Sequence, residues 1–182
     1  MITVVTGTYG DVDYWGELVE RAERSVGESA EFIWVHGPNR HEARNEGARR
    51  ASGTRLVFLD ADDELSDGFC DLVVECEDVL QPKTIYRDGD QETAPDWIPP
   101  REDFLMGNHI VVGAPVNRDV FLESGGFEPF PIAEDWALWL KLKRAGASFG
   151  RTHATYIVNV NHNGVNSQPD NGVYDLIRSI YR

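Results

Sequence analysis

Four apolar residues, Leu56-Val57-Phe58-Leu59, run straight into Asp60-Ala61-Asp62-Asp63. A buried strand of this kind delivers a carboxylate cluster at its carboxyl end, where open α/β sheets bind their ligands. Asp60 and Asp62 alternate along an extended segment, so both can reach such a crevice. Hard oxygen donors two residues apart suit Mg²⁺ or Mn²⁺, cations that also hold a diphosphate. A calcium loop is the obvious competitor and fails. Counted from Asp60, the sixth position is Leu65 where glycine is needed, and the twelfth is Asp71 rather than glutamate. The plainer alternative is that these acids cap the next turn and face water, since Asp is common at turns.

The elements that must position this cluster follow from hydrophobic pattern. Ile2 to Thr6 is a β-branched run ending in Thr-Gly-Thr-Tyr-Gly, followed by Val12, Trp15, Leu18, Val19, Ala22 and Val26 at helical spacing. Phe32 to Val35 is a second strand, and Arg40 to Ala51 a helix with a small-residue face. Leu56 to Leu59 is the third strand, Asp67 to Leu80 carries a helical stripe, and Thr84 to Tyr86 is strand-like. Asp88 to Pro100 reads as a surface loop. Beyond it, His109 to Val116 predicts a strand, Arg118 to Glu123 a short helix, and Ile132 to Arg144 a buried helix. Thr155 to Val160 predicts a closing strand and Val173 to Tyr181 a terminal amphipathic segment. Continuous apolar strands alternating with helices predict an α/β fold, with a mostly parallel sheet and helices on both faces.

Composition narrows the partners. The chain has 182 residues, 41% of them hydrophobic and 10% aromatic, which is one domain with ample material for a core. Its 17 Lys and Arg against 31 Asp and Glu give a net charge of −14, which argues against a nucleic-acid partner. Five arginines between Arg40 and Arg55 are interleaved with Glu42 and Glu46, a short basic lip rather than a basic face. No apolar run is long enough for a membrane span, and the N-terminus lacks the pattern of a secretion signal. A soluble, cytoplasmic protein is expected. Cys70 and Cys76 are badly spaced for a zinc pair or a disulfide and read as thiols in a reducing compartment.

Upstream of the aspartates stands Asn45-Glu46-Gly47, then Ala51-Ser52-Gly53. With the apolar strand and Asp-Ala-Asp-Asp, this resembles the N-x-G-x-x-x-A-x-G and DxDD pattern of family 2 glycosyltransferases of the GT-A fold. Further pieces follow in the family's order. They are Val4-Val5-Thr6-Gly7-Thr8-Tyr9-Gly10, Gly125-Gly126-Phe127, Glu134-Asp135-Trp136, and Tyr156 with His162 and Ser167. The resemblance covers nearly the whole chain. It implies a single minimal Rossmann-like GT-A domain over 1–182, with a nucleotide-binding half at 1–87 and an acceptor-binding half at 101–182.

The resemblance also implies roles. Asp60 holds mainly the ribose and Asp62 the cation, Mn²⁺ or Mg²⁺, with Ala61 between them at the donor. Thr8 and Tyr9 line the base pocket, and Arg44 reaches base or phosphates, against the alternative of a solvated helix face. Asp135 is the candidate general base, with inversion at the anomeric carbon as the outcome; otherwise it caps its helix. Glu134 and Trp136 border the acceptor, although a Trp on so apolar a helix equally suits the core. His162 is a third metal ligand or a phosphate donor, though a lone loop His is more often neither. His36, His41, His109 and His153 read as structural.

The resemblance further implies a nucleotide-sugar donor, with UDP-sugar as the default, and an acceptor that is a carbohydrate, a lipid-linked group or a protein. One departure from the family concerns the base: its second strand ends in Asp-Asp-Gly-Ser, whereas this one ends Val35-His36-Gly37-Pro38-Asn39, without the recognition acid. The acceptor elements are expected in Asp88 to Met106, Gly113 to Arg118 and Asn161 to Gln168. Two rivals compete with this reading. A sugar-phosphate nucleotidyltransferase needs a basic, Gly-rich loop after the first strand, and Thr6 to Asp11 has no Lys or Arg. A catalytically silent nucleotide- or sugar-binding module would keep the pocket without turnover.

Overall fold

Backbone pairing begins with β1 (Ile2–Tyr9), whose residues from Ile2 to Thr6 are buried throughout. It pairs in parallel with β2 (Glu31–Gly37) on one side and β3 (Arg55–Phe58) on the other. The connections are helical, as parallel neighbours require. Helix α1 (Val12–Val26) starts where the Asp11 side chain accepts from the Asp13 N–H, and α2 (Arg40–Arg50) where Asn39 accepts from the Glu42 N–H. Gly47 lets α2 lie on the sheet, because a Cβ there would stand 2.3 Å from Val5 Cγ1. The computed structural model describes residues 1–73, 76–96, 105, 107–162 and 172–181. The parts of the expected acceptor elements at 97–104, 106 and 163–168, Ser167 among them, lie outside these.

The rest of the sheet comes from β4 (Glu64–Leu65), β5 (Val79–Asp88), β6 (Gln91–Thr93), β7 (Val116–Asn117) and β8 (Phe149–Asn159). The strand order is β2-β1-β3-β7-β5-β8-β4, with β6 paired to β5. The long ladders β1–β2, β1–β3 and β5–β8 are parallel, and the short ones at β7, β4 and β6 are antiparallel. Chain direction out of β1 goes both ways, to β2 and to β3, so the carboxyl ends of β1 and β3 form a topological switch point. Both expected halves share this one sheet. Helices α3 (Arg118–Glu123), α4 (Glu134–Arg144) and α5 (Val173–Tyr181) complete the fold. Phe58 of β3 packs edge-on against Phe127 at 4.7 Å and against Phe121 at 5.0 Å, which joins the third strand to the Gly125-Gly126-Phe127 turn.

Three expected elements differ. The helix over Asp67 to Leu80 is a 3₁₀ turn at Cys70–Leu72, and Val79 and Leu80 belong to β5 instead. Gly68 holds a left-handed φ of 69°, which interrupts any helix through it, and pairing with β8 claims the apolar end of the stripe. The strand at Thr84 to Tyr86 lies inside the longer β5. The strand over His109 to Val116 shrinks to β7, because Ala114 N–H turns back to the Val111 carbonyl and Pro115 has no N–H to give a ladder.

Candidate active site

Asp60 follows β3 at the switch point, and Arg44 of α2 reaches it from beneath. Arg44 is 1% exposed, and it passes close over Gly7, where a Cβ would stand 2.8 Å from Arg44 Cγ. Its guanidinium donates to Asp60 Oδ1 and, at 2.6 Å, to Glu134 Oε1. It also lies 5.2 Å from the centre of the Phe127 ring. Burial opposes its charge, but Asp60 and Glu134 together hold it protonated above the ordinary guanidinium range. Glu134 takes a second cation, Arg40, at 2.8 Å. One buried arginine thus ties the end of the third strand to the start of α4. Arg44 spends its fork on protein carboxylates, and Glu134, 5% exposed, pairs with two arginines, while both residues border the cleft.

Asp135 stands one residue further along α4 and faces a cleft of about 840 Å³ that also reaches Asp60, Asp63, Arg40 and Arg44. Its carboxylate is fixed at both oxygens: Oδ1 accepts from the Trp136 N–H at 2.8 Å, and Oδ2 from Asn108 Nδ2 at 2.8 Å. Burial and the neighbouring Glu134 raise its pKa to about 6. A carboxyl titrating there is a proton acceptor suited to neutral pH. The backbone just before it is unusual. Ala133 has φ 55°, the one non-glycine residue with positive φ among the described residues, and it supplies no side-chain cap. Single residues hold that conformation only where their surroundings fix it.

The carboxylates of Asp60, Asp62 and Asp63 each offer an oxygen within 4.8 Å of the others, the one such acidic or thiol and imidazole grouping among the described residues. Asp63, absent from the expected site, is 6% exposed and accepts from Tyr156 Oη and from the Asn159 N–H, both at 2.9 Å. Tyr156 Oη in turn accepts from the Asp60 N–H at 3.2 Å. Its ring fits because Gly113 has no Cβ, which would otherwise stand 2.1 Å from Tyr156 Cε2. Burial, then Asp60, raises the pKa of Asp62; burial, then Asp60 and Asp62, raises that of Asp63 further. The Asp62 side chain does not border the cleft, but its carbonyl accepts from Arg21 and Asn159, both at 2.7 Å. Ala61 between them is buried.

The remaining expected residues fall as follows. Thr8, 1% exposed, accepts from Trp34 Nε1 at 2.8 Å and meets His36 Nδ1 at 3.0 Å. Tyr9 is half-buried, its carbonyl accepting from Trp15 Nε1 at 2.7 Å. Both stand at the carboxyl end of β1, outside the lining of the cleft. Trp136 is wholly buried, its ring 5.5 Å from Tyr174 and 5.5 Å from the Arg178 guanidinium. Its burial fits the core alternative for Trp136. His162 is exposed and meets Asp88 at 3.1 Å instead of joining the aspartates, so it is not a third ligand in this arrangement.

Two further residues organise the site. Asn108 orients Asp135, and nothing in its own sequence surroundings marks it. Asn45 binds the turn backbone twice, with Nδ2 donating to the Phe127 carbonyl and Oδ1 accepting the Phe127 N–H, both at 2.9 Å. Gly126 leaves room for it, since a Cβ there would meet Asn45 Oδ1 at 2.3 Å. Its signal was present in the Asn-x-Gly motif.

No family model matches the chain, and no curated protein sequence does. Solved structures do. The chain is similar to S. aureus TarS 1-349 in complex with UDP, with 14% identity and a TM-score of 0.66 over 99% of this chain and 64% of that one. It is similar to the same segment in complex with UDP-GlcNAc, with 13% identity and a TM-score of 0.65 over 99% and 66%. For S. aureus TarS the figures are 14%, 0.63, 98% and 39%. At this identity the likeness establishes a shared fold. The chain spans less than two thirds of the length of each of these structures. Among the described residues no helix is long and apolar enough to cross a membrane.

Proposed function

We propose that the chain is a metal-dependent, inverting glycosyltransferase that moves a sugar from a nucleoside-diphosphate sugar, in the first instance a UDP-sugar, to an acceptor hydroxyl. The observation that supports it most is the pairing of Asp60 and Asp135 on one cleft, joined through Arg44 and Glu134. The binding of UDP and UDP-GlcNAc by structures of the same fold favours a uridine donor. Asp60 at the switch point faces the ribose and diphosphate, with the end of β1 at Thr8 and Tyr9 beside the base. Asp135 accepts the proton of the attacking hydroxyl. The new bond forms from that oxygen to the anomeric carbon as the bond to the diphosphate oxygen breaks, and the diphosphate leaves with the electron pair.

The donor set suits a hard cation. Three carboxylates lie within reach of one another, and burial first, with the neighbouring carboxylates second, raises the pKa values of Asp62 and Asp63. Asp60 and Asp62 would hold Mn²⁺ or Mg²⁺, with Asp63 kept in place by Tyr156 and Asn159. When bound, the cation supplies positive charge against the departing diphosphate, worth several kcal/mol at the transition state. Arg44 acts as a positioning residue, since its donors are already used by Asp60 and Glu134.

Release of free nucleoside diphosphate from a panel of nucleotide sugars with Mn²⁺ tests this reading, with Asp135→Asn and Asp60→Asn as controls. Wild-type turnover lost in both variants is the expected result. Donor binding without release from any donor would leave a binding module in place of an enzyme.

A further inference from the structure

We propose that the acceptor is a carbohydrate, and that the ring of Tyr86 is the platform on which its pyranose lies. The inference rests on the transferase reading for the word acceptor, but the sugar-binding face stands on its own geometry. Among the described residues, Tyr86 is the one large hydrophobic side chain that is both exposed, at 42%, and part of the lining of the cleft of Asp135. Aromatic rings in a concave site are what bound molecules cover. A pyranose presents a flat patch of C–H groups on one face and hydroxyls around its rim. Tyrosine answers both, with an apolar ring face and a polar tip.

The strands fix where that ring stands. Tyr86 of β5 is the direct partner of Val158 in β8 and of Thr93 in β6. Directly paired residues share a face of the sheet, as do residues two apart along one strand. Val158 and Thr84 accordingly border the same cleft, and the chain leaves β6 through Ala94 and Pro95, which line it too. Tyr86 is therefore set among small and apolar neighbours on a wall built from three strands. Burial, then the charges of Asp135 and Asp63, raise the pKa of its phenol, so its polar end lies in the field of the carboxylate proposed to take the acceptor's proton. Its hydroxyl has no hydrogen-bond partner among the described residues, which leaves it for a sugar hydroxyl. In the sheet, β7 stands between β5 and β3, so the ring sits apart from the β1–β3 end proposed for the nucleotide. A sugar lying on Tyr86 with one hydroxyl directed to Asp135 matches these placements together.

Saturation-transfer NMR on the whole chain, without donor or metal, tests the platform directly. The probes are methyl β-glucopyranoside, methyl β-galactopyranoside and methyl N-acetyl-β-glucosaminide, set against sorbitol, whose hydroxyls lie on an open chain. UDP with Mn²⁺ is titrated in parallel. At least one pyranoside should bind, with the strongest transfer to its ring C–H protons, and sorbitol should not. Tyr86→Leu should weaken that pyranoside roughly fivefold or more, and Tyr86→Phe by less, because phenylalanine keeps the ring. Melting temperature and UDP affinity should stay at the wild-type values in both. Binding of no pyranoside, equal binding of sorbitol, or an undiminished pyranoside affinity in Tyr86→Leu would overturn the proposal. So would a loss of UDP affinity in Tyr86→Leu, which would make the ring a platform for the base. A wild-type protein that holds the pyranoside through Tyr86 but neither binds UDP nor releases it from a donor would instead sink the transferase reading and spare this one.

Discussion

Asp135 shows what a single carboxylate can be asked to do here. Its carboxylate is held at both oxygens, by the Trp136 N–H and by Asn108. Asp135→Asn should leave UDP binding intact and lower turnover by about 10²- to 10⁴-fold, the usual contribution of a positioned base. Turnover in the wild type should rise with pH along a limb centred near the raised pKa of about 6. Stability runs the other way. A carboxyl whose folded pKa is raised stabilises the fold fully below its unfolded pKa, and that contribution is lost as pH rises through about 6. Asp135→Asn should therefore stabilise the protein by about 1–2 kcal/mol near pH 8 and by nothing near pH 4, allowing for partial exposure. Thermal melts at the two pH values check this. An acidic pair opening an apolar helix made Asp135 legible in the sequence. Asn108 was illegible, because a single Asn in an irregular stretch has no spacing to betray it. Trp136 was ambiguous for another reason: residue type says what a ring can stack on, and only packing says which side of the helix it faces.

Helix α2 carries two neighbouring residues that work at the level of whole elements. Asn45 grips the Phe127 turn, and Arg44 joins the end of β3 to α4, so the motif around them is architectural. Arg44→Met should cost about 3–5 kcal/mol, because it leaves Asp60 and Glu134 facing each other without their shared cation. Denaturant midpoints measure that loss, and Arg44→Lys should recover only part of it, since an ammonium is a point charge without the planar, fixed fork of a guanidinium. At the other end of the link, Ala133 precedes α4 in a left-handed conformation that glycine adopts freely. Ala133→Gly should raise stability by about 0.5–1 kcal/mol, again read from denaturant midpoints. The alternation of apolar strands and helices is plain in the sequence, because buried parallel strands read as unbroken hydrophobic runs. The stretch 67–80 misled because Phe69, Leu72, Val73, Cys76 and Val79 fit a helical period. Gly68 and the pairing of Val79 and Leu80 with β8 decide otherwise, through conformations and partners that periodicity does not contain.

At the scale of the whole molecule the dominant quantity is the net charge of −14, and the proposed donor is itself an anion. Like charges repel, and under the proposed function the clustered aspartates face the diphosphate. Arg44 cannot offset that, being already shared between Asp60 and Glu134. A divalent cation is then what makes the cleft receptive, and the consequence is measurable in salt. Without divalent ions, UDP should bind weakly and its affinity should improve as NaCl screens the acidic protein. With Mn²⁺ the affinity should be higher and the salt trend should flatten or reverse, because the attraction now runs through the bound charge. A thermal shift assay offers the same test through linkage: UDP at about 100 times its Kd adds roughly 2.7 kcal/mol to a protein that binds it only when folded. That shift should be present with Mn²⁺ and vanish with EDTA. An equal UDP shift in both would take the cation out of the proposed reaction and leave Asp60 to hold the ribose alone.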